Sequence, residues 1–140
     1  MLLTMPIARR RIVTLMGFLT EQEQLRVQWP DNAERSAWRN TAKIVKSKMA
    51  VTIRFTTEQR SRLTKDSELY FVLCEAQRLA MTAHTLALHI QVRGRLMRHN
   101  NFLSKTAELK AQCDNLKGSI KHIFSLLDNG ALSNRVDRAM

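Results

Sequence analysis

The sequence predicts a mainly α-helical protein with one short β-strand, assembled as a dimer and extended by helices at both ends. Three observations lead there. Met49, Val51, Ile53 and Phe55 alternate with Lys48, Ala50, Thr52 and Arg54, the two-residue period of a half-buried strand. The other periodic stretches repeat at helical spacing. A lone strand leaves its edges unpaired, so the same strand from a second copy is the partner that the chain itself offers.

A chain of 140 residues is one domain, or a small domain with helical extensions. Its net charge of +11 divides as +6 over residues 1–56, +3 over 57–99 and +2 over 100–140. Such a field favours nucleic acid or an anionic surface and says nothing about sequence specificity. No apolar run reaches the roughly 20 residues that cross a bilayer, so no membrane span is expected. The start lacks the pattern of a secretory signal, whereas Arg9, Arg10 and Arg11 have the character of an organellar presequence. Cys74 and Cys113 each sit in an apolar helical pattern and read as small core residues of a reduced compartment.

The chain divides into a basic helical N-terminal extension (1–47), a strand-and-helix unit (48–99), a C-terminal heptad helix (100–130) and a tail (131–140). Within residues 1–26, Ile12, Val13, Leu15, Met16, Phe18 and Leu19 give a helix its apolar content, with a break near residues 17–20. Trp29-Pro30-Asp31-Asn32 punctuates, because the residue before proline avoids helical geometry and Asp31 or Asn32 can cap the next helix. That helix, expected over about 33–47, puts Trp38, Ala42 and Val45 on one face. Arg35, Arg39, Lys43 and Lys46 line the other, as a phosphate-binding stripe or as a solvated face.

The strand comes next, and Thr56 with Gln59 forms a capping-box pattern that would start a helix at its end. That helix turns densely apolar from Leu69 to Leu73 and runs to about Met81. Thr82 would cap a second helix carrying Ala83, Leu86, Ala87 and Ile90, closed by Arg93, Gly94, Arg95 and Arg98. No glycine lies between residues 18 and 93, so a turn near Lys65-Asp66-Ser67 is the alternative place to end the first helix.

From Lys48 to about Gly94 the chain resembles the ribbon-helix-helix (Arc/MetJ-like) family of DNA-binding dimers, most sharply in "VTIRFTTEQ". The resemblance implies a two-stranded ribbon shared by a homodimer and laid in the major groove of duplex DNA. Thr52 and Arg54 would then contact base edges, and Lys48, Arg60, Arg93 and Arg95 would contact phosphate. The alternative is an ordinary edge strand in an α+β domain, with Arg54 solvated.

In the last helix Leu109, Cys113, Leu116, Ile120, Ile123 and Leu127 are spaced 4, 3, 4, 3 and 4, an a/d seam that would pack within the chain, in a dimer or against a protein partner. Asp128-Asn129-Gly130 would end it. "DNLKGSIKHIFSLLDNG" is similar to a motif that lies after the DNA-binding unit in relaxosome accessory proteins of plasmids, through Asn115, Leu116, Ile120, Ile123, Leu127, Asn129 and Gly130.

Catalysis has little to build on. His84 and His89 are five apart and off one helix face, His99 and His122 are isolated, and no phosphate loop, nucleophile elbow or Cys-x-x-Cys occurs. No enzyme, cofactor or metal is therefore expected. The expected function is sequence-specific duplex DNA binding in the cytoplasm, as a relaxosome accessory factor or transcriptional repressor. The alternatives are a helical adaptor or inhibitor of a mobile genetic element, or a basic RNA-binding organellar protein.

Overall fold

The structure is a computed structural model and describes residues 27–128, with the side chains of Phe124, Leu127 and Asp128 excepted. Three antiparallel helices account for most of it: α1 (Arg35–Arg60), α2 (Glu68–Arg93) and α3 (His99–Asp128). The expected N-terminal helix, the arginine run at 9–11, the stop at Asn129-Gly130 and the tail lie outside the described residues.

α1 starts after a knot of polar bonds. Asn32 Oδ1 accepts from the Glu34 amide at 2.9 Å, and the Trp38 indole N–H donates to the Asn32 carbonyl at 2.9 Å. Trp29 packs on Trp38 with ring centroids 5.7 Å apart, so the turn before the helix is fixed to its first buried residue.

The expected strand does not form. Residues 49–55 continue α1, and no strand occurs among the described residues. The apolar face that opens at Trp38, Ala42 and Val45 passes to Met49, Thr52, Thr56 and Gln59 at steps of three and four, whereas Val51, inward on a strand, is 46% exposed. Burying threonine is tolerable because each hydroxyl finds a carbonyl one turn back. Thr52 Oγ1 donates to Lys48 O at 2.9 Å and Thr56 Oγ1 to Thr52 O at 2.8 Å. The β-branched run is thus overridden by continuity of the helical face, as tertiary packing often overrides propensity.

The ribbon-helix-helix fold is accordingly corrected to a three-helix hairpin array, and the dimer that a shared ribbon required loses its basis. Thr56 and Gln59 do not cap a helix start, being inside α1. The boundary at 47/48 falls mid-helix, and so does the expected break at Met81–Thr82, where Thr82 Oγ1 donates to Arg78 O at 3.1 Å. The turn lies at residues 61–67, around Lys65-Asp66-Ser67. There Ser67, fully buried, accepts from the Tyr70 amide at 3.0 Å as the N-cap of α2.

α2 is the central element. It supplies ten of the 21 buried hydrophobic side chains among the described residues, and α1 and α3 both pack on it. Ala76, Ala80, Ala83 and Ala87 are at most 1% exposed and carry little bulk where the neighbouring helices approach. α3 adds Phe102, Leu109, Cys113, Leu116, Ile120 and Ile123. The heptad seam is thus consumed inside the chain rather than offered to a protein partner; Leu127 continues the helix, but its side chain lies outside the described residues.

Candidate functional site

α1 carries seven lysines and arginines against one acid, Glu58. With its inner face set by Val45, Met49 and Thr52, the helical period turns Lys43, Lys46 and Arg54 toward the outer side along one stripe. No acidic residue lies between Glu34 and Glu58.

The stripe meets a second basic group where α1 begins. From Ala76 to Ala107 the sequence contains no Asp or Glu, and Arg93, Arg95 and Arg98 in this interval are all exposed. None of the three makes an ion pair among the described residues. Their loop is held by α1: Arg35 Nη1 donates to Gly94 O at 2.7 Å and to Met97 O at 2.5 Å, and its guanidinium stands 4.8 Å above the centroid of Phe102. Arg39 Nε donates to Gln91 O at 3.0 Å. Two cations therefore serve the otherwise unpaired carbonyls at the negative end of the α2 dipole, and leave the neighbouring guanidiniums facing water. Asp31 and Glu34 are the acids nearest in sequence to the start of α1, and the Ser36 hydroxyl donates to the Glu34 carboxylate at 2.8 Å.

The residues expected to contact DNA are not brought together. Thr52 is 2% exposed with its hydroxyl turned to the Lys48 carbonyl, so it is a core residue and not a base reader. Arg54 is exposed on the outer stripe. Lys48 is half-buried on the flank toward α3, close enough to Cys113 for its charge to act on that thiol. Arg60 lies at the opposite end of the bundle from Arg93 and Arg95. Its Nη1 donates to Cys74 Sγ at 3.3 Å, and that bond raises the guanidinium's pKa further above its ordinary value. From Cys74 to Arg93 is about 28 Å of helix rise, so Arg60 and the arginine loop cannot share one short contact patch. Arg60 instead borders a cavity of about 250 Å³ with Thr57, Ser61, Leu63, Lys65 and Tyr70.

The sequence puts Arg35, Arg39, Lys43 and Lys46 on one basic face, but Arg35 and Arg39 turn instead to the end of α2 and the turn after it as a clasp. Its acceptors include backbone carbonyls 52 and 59 residues away, which carry no sequence signature. Among the described residues no group of three or more His, Cys, Asp or Glu could hold a metal, and no helix is long and apolar enough to cross a membrane. Comparison with protein-family models, with curated proteins and with solved structures finds no match.

Proposed function

We propose that this chain binds the phosphate backbone of duplex DNA through the outer stripe of α1 and the adjoining arginine loop. The observation that carries the reading is the pairing of an acid-free α1 stripe with three exposed, acid-free arginines, joined by the Arg35 and Arg39 clasp. The stripe of Lys43, Lys46 and Arg54 rises about 16 Å, long enough to track several phosphates of one strand. With Thr52 in the core and no ribbon to enter a groove, contact of this kind positions the protein on a duplex and discriminates little among sequences.

A salt-dependent titration against random duplexes tests it. Each phosphate contact removed lowers the slope of log K against log salt by about 0.9. The Lys43→Gln/Lys46→Gln/Arg54→Gln variant should therefore lose between two and three units of slope, and Lys117→Gln/Lys121→Gln on α3 should lose less than one. Binding without salt dependence, or an equal loss in both variants, would count against the reading. A single-stranded RNA of equal charge, titrated alongside, separates duplex preference from attraction to any polyanion.

A further inference from the structure

We propose that two copies of this chain pair through the outer face of α2, in antiparallel orientation. The proposal stands apart from the DNA reading and would survive its failure.

Among the described residues eight large apolar side chains are exposed; Ile44 and Val51 lie on α1 and Leu103 on α3, and the other five follow α2. Phe71 is 61% exposed, Met81 52%, Leu88 41% and Val92 64%, all on α2, and Leu96 just beyond it is 86% exposed. On α2, Phe71, Arg78, Thr85 and Val92 recur every seven residues, and Met81 and Leu88 stand three residues after Arg78 and Thr85. That is a stripe of heptad spacing on the side of α2 opposite the one that packs into the bundle, apolar at Phe71, Met81, Leu88 and Val92 and polar at Arg78 and Thr85. A seam of this spacing fits another helix of the same kind, and a row of exposed large apolar groups marks an interaction surface.

Charge selects a second copy and its direction. The chain is strongly basic, yet α2 carries two acids, Glu68 and Glu75, against two arginines, Arg78 and Arg93. It is the helix along which two +11 chains approach with least repulsion, and pairing there leaves the outer stripe of each α1 uncovered. The charges are also unevenly placed. Glu68 and Glu75 lie in the first third of α2, Glu68 facing His122 of α3 at 3.7 Å and Glu75 paired to Arg78 at 2.6 Å; Arg93 lies at its far end and Arg95 just beyond it. A parallel pair would set like against like. An antiparallel pair centred near residue 83 sets the acid-bearing end of each helix beside the arginine-bearing end of the other. It also brings Met81 of one copy level with Thr85 of the second.

The test is molecular mass in solution of the full chain at micromolar concentration, for the parent and three variants. Leu88→Glu and Met81→Glu place a carboxylate in the seam. Leu103→Glu makes the same kind of change at a residue 40% exposed on α3, away from it. The expected result is a dimer for the parent and for Leu103→Glu, and a monomer for both seam variants with unchanged helical circular dichroism. A parent that is monomeric overturns the proposal, including one whose melting temperature still falls on Leu88→Glu, since that face would then be covered from within the same chain. A dimer dissociated by Leu103→Glu but not by the seam variants overturns it as well. Orientation is read from spin labels at position 71, which sit about 36 Å apart along the axis in an antiparallel pair and side by side in a parallel one.

Discussion

The Arg35 guanidinium covers the ring of Phe102 at 4.8 Å and, from the same position, donates to the carbonyls of Gly94 and Met97. One side chain from the start of α1 thereby closes the α2–α3 turn and shields the first buried aromatic ring of α3.

Replacing Arg35 tests this closure. Arg35→Ala removes charge-assisted bonds to two carbonyls and a cation–π contact, and should cost about 2 kcal/mol in urea denaturation. Arg35→Lys should recover only part of that, because an ammonium can donate to the carbonyls but lacks the flat guanidinium that covers the Phe102 ring.

The two glycines of the described helical region respond oppositely. At Gly94 a Cβ would collide with the Ile90 carbonyl oxygen and come within 3.1 Å of Arg39 Cγ. Backbone does not yield cheaply, so Gly94→Ala should destabilise by about 1–3 kcal/mol. At Gly118, exposed in α3, nothing lies within 4 Å, and Gly118→Ala should stabilise by about 0.5–1 kcal/mol. Paired thermal melts read the two signs directly.

Val51 separates helix from strand by sign. On a half-buried strand Val51→Ala would empty part of a core and cost a kcal/mol or more. On the outer side of α1 the same change removes an exposed β-branched residue from a helix, and should leave stability unchanged or raise it by up to about 0.5 kcal/mol.

The Cys113 thiol gives a pH signature. Burial, with a smaller contribution from Asp114, pushes its pKa up to about 11, against the opposing charges of Lys117 and Lys48. A thiol held neutral in the fold but ionising at its ordinary value when unfolded favours the unfolded chain between those two pH values. Its contribution to stability is fully present below about pH 9 and is lost as pH rises toward 11. Cys113→Ala should flatten that part of the stability–pH curve, and at about pH 8 a thiol reagent should modify Cys74, which is half-buried, ahead of Cys113.

Much of the helical packing is legible in the sequence, and the reason for the one large error is specific. Trp38, Ala42 and Val45 read as an inward face and are inward; the 4-3-4-3 run from Leu109 to Ile123 reads as a seam and is buried throughout. Between Met49 and Phe55 two periods fit the same residues. Alternation prevails only if Thr52 and Thr56 count as polar and outward. They are inward because their hydroxyls are satisfied inside the helix, and nothing in a hydropathy pattern distinguishes a back-bonded threonine from a solvated one. For the candidate site, the cations were legible by type and spacing. Their division between two ends of a long bundle was not, since it depends on α1 continuing where a strand had been expected.

The clasp at Arg35 also bears on the order in which the chain folds. Each helix packs on its neighbour in sequence, so most of the contacts are local and assembly should be fast. The bonds from Arg35 to Gly94 and Met97 span about 60 residues and cannot form until the α1–α2 hairpin has closed along its whole length. A contact absent from the rate-limiting barrier holds the native state by slowing its loss. Arg35 substitutions should therefore raise the unfolding rate and leave the refolding rate almost untouched, making this one residue a brake on opening rather than a guide to folding.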